Sequence, residues 1–291
     1  KTAYEISLGL VGSEMCIRDR SMSYSEELSF CVDVVRRAAT PALAAFEMSD
    51  LPVSRKSDGT IVTKGDLDVN ALIVESIRTQ YPEDGLLSEE GPVDSTRREK
   101  SRCWVVDPID GTTHFARGDL DWAIMMALLV DEKPVVGVVY RPALDELQAG
   151  ALGQGATQID NGVPRELLAP ACDESMLRMI HGPSAAEIVT VAGKDEADFT
   201  ERGHGLMAMF TILPSEAHAY VTSRTSGSEW DLASHVAILS SVGGVVTDLY
   251  GERHRFNKID SRVRGGVVAA VSPDVHGRAM SLVRSANLQP L

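Results

Sequence analysis

The residues with the clearest chemistry are Trp104-Val105-Val106-Asp107-Pro108-Ile109-Asp110-Gly111-Thr112-Thr113-His114-Phe115. A β-rich apolar run delivers one carboxylate at its end, Pro108 fixes the turn, and a second carboxylate follows three residues later beside Gly-Thr. Two carboxylates leaving one strand end are hard oxygen donors suited to Mg²⁺. The backbone N–H groups of Gly111 and Thr112, at an expected helix start, can hold a phosphate or another anion, and Gly111 lets that anion approach closely. An Asp-Pro turn followed by a helix-capping Asp accounts for either aspartate singly, but not for the whole pattern.

Three further acidic positions fit the same picture. Glu89-Glu90 follow a short apolar run, Asp66 opens a helical pattern behind Thr63, and Asp231 follows Trp230 at the start of another. Taken singly, each has a blander reading: Asp at a helix start is usually a cap, and Glu-Glu is usually a solvated surface. The stretch GALGQGA at residues 150–156 looks like a nucleotide-binding glycine loop, but no helix pattern follows it, so it reads as a hairpin. The seven His residues show no ligand-like pairing. His235 is expected to pack inside a helix, and His114 to tune the edge of the site.

The elements that must position these groups follow from periodicity. Leu28, Val32, Val35 and Ala39 recur at helical spacing from Ser25, with a kink expected at Pro41 before Leu43 and Phe46. A polar connector at residues 54–60 leads to a second helix over 66–81, stopped by Pro82. Strands are expected at 85–88, 103–106, 122–130 and 135–140, the last two joined as an antiparallel hairpin, and Asn161-Gly162 marks a tight turn. The second half reads as strand 176–180, helix 205–213, strand 219–222, helix 232–241, strands 245–249 and 267–271, and helix 273–285. Such alternation suits a layered α/β domain. Residues 1–21 follow neither period, and GLVGSEMCIRD resembles translated sequencing-adapter sequence; a non-native or disordered terminus is expected there. Residues 22–160 are expected to form an N-terminal α+β subdomain with most of the metal ligands. Residues 161–291 would form a C-terminal α/β subdomain with Asp231 and the substrate side.

Composition narrows the function. The 291 residues carry 28 Lys+Arg against 42 Asp+Glu, a formal charge of −14, with 44 % hydrophobic residues. That apolar share supports a large core and argues against disorder. The acidic balance repels nucleic-acid backbones, so an anionic substrate needs a cation from solution. No apolar run is long enough to span a bilayer. The four cysteines are scattered without a C-x-x-C pair, which suits a reducing cytoplasm and argues against zinc or a disulfide framework.

Four elements in order carry a family resemblance: Thr63-Lys64-Gly65-Asp66, Glu89-Glu90, Asp107-Pro108-Ile109-Asp110-Gly111-Thr112 with Phe115, and Trp230-Asp231-Leu232-Ala233 with Gly243-Gly244. Over residues 25–271 the sequence resembles the inositol monophosphatase superfamily of Mg²⁺-dependent phosphomonoesterases. The resemblance implies a layered αβαβα sandwich of the inositol monophosphatase and sugar phosphatase type. It implies that Glu89, Asp107, Asp110 and Asp231, with the Ile109 carbonyl, hold two or three Mg²⁺ ions. Asp66 and Thr112, with Glu89, would activate and orient the attacking water, and Asp110, Gly111, Thr112 and Asp231 would face the phosphate. Five carboxylates beside a phosphate of charge about −2 would expel the substrate without metal. The resemblance also implies lithium inhibition and a homodimer.

The substrate stays open at this level. Leu87-Ser88-Glu89-Glu90, Ser228-Glu229-Trp230-Asp231 and Phe256-Asn257-Lys258 are similar to the 3′(2′),5′-bisphosphate nucleotidase (CysQ-like) branch, which implies hydrolysis of 3′-phosphoadenosine 5′-phosphate to AMP and phosphate. The chain departs from that branch at Gly203-His204-Gly205-Leu206-Met207 and around residues 180–184. Asp110-Gly111-Thr112-Thr113 is closer to inositol-1-phosphate phosphatases, and Trp122-Ala123 resembles histidinol-phosphate phosphatases. A non-catalytic phosphoester-binding homologue is the alternative of a different class.

Overall fold

Helix α1 (Ser25–Phe46) forms on the expected spacing and buries Val34, Val35, Ala38 and Ala42 along one face. It runs through Pro41 to Phe46, so the proline does not end it; the buried stripe continues to Ala45 and holds the last turn. In the computed structural model the residues described are 23–57, 59–92, 94–172, 176–191, 197–202, 205–214, 217–223 and 227–290. The expected non-native terminus, residues 1–21, lies outside them.

The polar connector contains a small antiparallel hairpin, β1 (Val53–Arg55) and β2 (Ile61–Thr63), which feeds directly into α2 (Lys64–Gln80). Then come β3 (Gly85–Ser88), β4 (Arg102–Asp110), the short helix α3 (Thr112–Arg117), β5 (Ala123–Val130), β6 (Lys133–Arg141), β7 (Glu146–Ala151), β8 (Gly155–Asp160) and β9 (Val163–Leu167). They form one seven-stranded sheet in the order β3-β4-β5-β6-β7-β8-β9, parallel only between β3 and β4. GALGQGA turns the chain from β7 into β8, the expected hairpin.

The chain then builds a five-stranded sheet. Its elements are β10 (Leu177–His181), α4 (Glu187–Val191), β11 (Ala197–Glu201), β12 (Ala219–Thr222), α5 (Glu229–Ser241), β13 (Val245–Thr247), β14 (Val267–Ala270) and α6 (Pro273–Ser285). The strand order is β11-β10-β12-β14-β13. The helix expected at 205–213 is instead a 3-10 helix, Gly205–Thr211, tighter than the period had suggested.

Alternation sorts the core. On β4, Trp104 and Val106 face α1 and α2, whereas Cys103 and Val105 face α5 and the second sheet. Strand β5 is buried on both faces, which is why its sequence is a continuous apolar run. Helices α1 and α2 cover one face of the large sheet, α5 lies between the two sheets, and α6 packs beyond β14. The layers therefore read αβαβα. Gly137 on β6 allows the central contact, since a Cβ there would stand 2.3 Å from the Ser234 carbonyl oxygen of α5.

Candidate active site

Strand β4 carries Asp107 and Asp110 to the end of the large sheet, and its pairing with β5 breaks register between them. Such an irregularity re-aims side chains at a strand end. Gly111 then takes φ +83, and a Cβ there would lie 2.7 Å from the Asp121 carbonyl oxygen, so a side chain is excluded by both conformation and space. The neighbouring strand β3 ends beside Val106, whose carbonyl accepts from the Glu89 N–H at 3.1 Å. Glu89 thus leaves the sheet next to Asp107.

Two helix starts supply the remaining carboxylates. Asp66 closes a capping box on α2: Thr63 N–H and Oγ1 donate to its Oδ2 at 2.8 and 2.5 Å, and the Asp66 N–H donates back to Thr63 Oγ1 at 3.4 Å. Asp231 does the same work on α5, accepting the Ser228 N–H at 2.6 Å. Both aspartates are caps, as their positions alone suggest, and both also line the site. The cap immobilises the carboxylate, and Asp66 keeps its second oxygen for Thr112, 3.1 Å from Thr112 Oγ1.

Asp107, Asp110 and Asp231 bring carboxylate oxygens within 4.8 Å of one another. Asp107 is 1 % exposed, and neither of its oxygens has a hydrogen-bond partner. Burial, and then the charges of Glu89, Asp110 and Asp231, push its carboxyl well above the usual range. Asp110 is raised by burial and by Asp231 and Glu89; Asp231 is raised by burial to about 6. Buried carboxylates without donors cost several kcal/mol unless a cation joins them, roughly as isolated buried charges do. This donor set is all oxygen and hard, and it fits a divalent cation.

Glu89 is held differently. Lys56, on the turn between β1 and β2, reaches in and places Nζ 2.8 Å from Glu89 Oε1 and 2.5 Å from Glu90 Oε1. Burial works against the ammonium, but the hydrogen bonds it donates to Glu89 and Glu90 outweigh it and raise its pKa. A protein cation therefore already neutralises the carboxylate beside the cluster.

These groups open into a cavity of about 690 Å³, which Glu89, Asp107, Ile109, Asp110, Thr112 and Asp231 line. Arg55, His114 and Arg117 stand on the same wall space, and Arg55 and Arg117 are exposed with no carboxylate partner among the described residues. Thr112 Oγ1 also lies 3.1 Å from the Ile109 carbonyl oxygen. The arrangement offers a buried anionic floor for metal, a positioned hydroxyl–carboxylate pair, and cationic groups near the entrance.

Residues 23–288 match the model of the Inositol monophosphatase family. The chain belongs to that family. Its members are phosphatases that hydrolyse small phosphate monoesters, and they depend on metal. The histidinol-phosphatase of Mycobacterium tuberculosis is 31% identical over 78% of this chain and 88% of its own. The 3′(2′),5′-bisphosphate nucleotidase CysQ of Aggregatibacter actinomycetemcomitans is 27% identical over 82% and 91%. The solved CysQ of Bacteroides thetaiotaomicron superposes with a TM-score of 0.69 at 24% identity, covering 85% of this chain and 98% of that one.

Within this inositol monophosphatase family member, all the site residues expected from sequence line one cavity except Asp66, which reaches it through Thr112. Sequence reasoning missed Lys56, whose polar surroundings looked like a plain connector. Of the motifs similar to the bisphosphate nucleotidase branch, Glu89 and Asp231 line the cavity, while others act as scaffold. Glu229, fully buried, accepts from the Asn257 and Lys258 N–H groups at 2.5 and 3.0 Å, and Arg97 Nη1 donates to Asn257 Oδ1 at 2.6 Å. Trp122 is fully buried, stacked edge-on against Phe115 at 4.8 Å. None of Glu229, Asn257, Lys258 or Trp122 lines the cavity.

Proposed function

We propose that this phosphatase is a Mg²⁺-dependent phosphomonoesterase whose substrate is a bisphosphate nucleotide of the 3′-phosphoadenosine 5′-phosphate type. The observation that carries the metal is Asp107, buried with two undonated oxygens against Asp110 and Asp231. Mg²⁺ bound by Glu89, Asp107, the Ile109 carbonyl, Asp110 and Asp231 would polarise phosphoryl oxygens and lower the pKa of water. Thr112, giving its proton to Asp66, presents a lone pair that accepts a proton from the attacking water and aims it at phosphorus. The Gly111 and Thr112 N–H groups hold phosphoryl oxygens in line with that attack. Water adds to phosphorus as the ester P–O bond breaks; the water's proton leaves by way of Thr112 to Asp66, the departing alkoxide takes a proton from solvent, and no covalent enzyme intermediate is needed.

Arg55 and Arg117 support the choice of substrate. Arg55 Nη1 donates to the Gly59 carbonyl oxygen at 3.0 Å but meets no carboxylate among the described residues. A guanidinium whose charge is not offset favours a second phosphate, gains nothing from the neutral ring of inositol 1-phosphate, and repels the ammonium of histidinol phosphate. Phosphate release should be measured in parallel on these three substrates, with and without Mg²⁺. The highest kcat/KM is expected for the bisphosphate nucleotide, with no turnover in chelator. A preference for either monophosphate would reverse the substrate choice. Binding of all three esters without any turnover would instead make the protein a phosphoester sensor.

A further inference from the structure

Away from the catalytic cavity, the segment between β13 and β14 forms a second cleft of about 310 Å³. Five cationic side chains line it: Arg253, Arg255, Lys258, Arg262 and Arg264. Only two carboxylates, Asp248 and Asp260, share its walls. On a chain of net charge −14 this is a sharp local reversal of sign. The two clefts have no lining residue in common.

The carboxylates offset only part of the positive charge. Asp248 Oδ1 accepts the Tyr250 and Glu252 N–H groups, each at 2.9 Å, which folds the loop. Asp260 fixes two arginines, accepting Arg262 Nε–H at 3.0 Å and Arg264 Nη2–H at 2.8 Å. Lys258 is braced by Glu229 at 3.1 Å and by the Arg255 carbonyl oxygen at 2.9 Å. Arg253 and Arg255 have no carboxylate partner among the described residues and remain exposed. Three cations are thus held in place and two are left uncompensated around one small space.

We propose that this cleft binds a small polyphosphate anion, a pyrophosphate group either free or as the tail of a nucleotide. Guanidinium groups match phosphate oxygens in paired hydrogen bonds, and the volume lies at the small end of ligand pockets, roughly 300–1,000 Å³. A nucleic-acid strand needs a long positive track, whereas this cleft of about 310 Å³ suits a small anion. Lys258 links the cleft to the catalytic side, because its partner Glu229 sits two residues before Asp231 on α5.

The test is calorimetric titration of inorganic pyrophosphate, and separately of ADP, into protein stripped of divalent metal, where the acidic catalytic cavity repels phosphate. Binding is expected to weaken at least tenfold in R253Q/R255Q, to persist in R253K/R255K, to be unchanged in D107N, and to fall with added salt. Equal affinity for the two probes assigns the site to free pyrophosphate; tighter ADP binding assigns it to a nucleotide tail. No binding by wild-type protein, equal binding by R253Q/R255Q, or loss of binding in D107N overturns the proposal. Mg²⁺-dependent phosphatase activity of R253Q/R255Q is expected to match wild type, which also reports that the variant is folded and keeps this question separate from that of the hydrolase.

Discussion

Thr112 Oγ1 stands 3.1 Å from Asp66 Oδ1 and the same distance from the Ile109 carbonyl oxygen. One hydroxyl proton faces two acceptors, so the hydroxyl can pass its proton to Asp66 while a lone pair stays open to water. Thr112→Ala should lower kcat about 100-fold with little change in KM, the usual scale for losing a proton-transfer group. Thr112→Ser should restore most of the loss. A raised KM at unchanged kcat would instead assign Thr112 to ground-state binding.

Asp107→Asn replaces a buried carboxylate, repelled by three neighbours, with a neutral amide of the same shape. Mg²⁺-dependent turnover should vanish. Melting in chelator should occur at the wild-type temperature or higher, and the rise in Tm that Mg²⁺ is expected to give wild type should be absent. Thermal scans with and without Mg²⁺ check both statements.

Lys56 competes with any cation that approaches Glu89. Lys56→Met should therefore tighten Mg²⁺ binding severalfold, while lowering stability in chelator because Glu89 and Glu90 lose their shared counter-ion. Metal titration followed by Tm gives both readings. Weaker Mg²⁺ binding would mean that Lys56 orders Glu89 for metal rather than competing for it.

His235, buried on α5 with Nε2 unpartnered, has its pKa lowered by burial to about 4 from 6.5. The unfolded chain therefore binds this proton more readily, so the group's contribution to stability is full above pH 6.5 and is lost as pH falls toward 4. The raised Asp107, Asp110 and Asp231 act in the opposite sense, favouring the fold as they protonate. Denaturant midpoints of wild type and His235→Leu across this range isolate the histidine. The variant should resist the fall by on the order of 3 kcal/mol.

The elements legible in sequence were those with a sustained apolar period. Helices α1, α2 and α5 and strands β4 to β6 follow directly from their buried stripes. The hairpin β1–β2 was not legible, because β1 is exposed along its whole length and offers no alternation to read. Strand β11 was missed for the same reason, with three of its five residues exposed. The 3-10 geometry of Gly205–Thr211 shares its apolar spacing with an α-helix, so period alone could not separate the two.

By itself the sequence determined the chemistry of the floor. Asp107 and Asp110 stand three residues apart at the end of one strand, β4, so local geometry brings them together wherever the strand lies. Tertiary structure decided the rest. Asp231 arrives from more than a hundred residues away, because Gly137 lets α5 settle against β6, and Lys56 arrives through a hairpin whose first strand is exposed throughout. The same packing places Glu229, Asn257 and Trp122, which carry the branch resemblances, as buried supports outside the cavity. Local spacing encodes which groups one strand end can join, but which distant groups face one another depends on how closely two layers approach, and the missing Cβ atoms of Gly137 and Gly150 allow the close approach of α5 here.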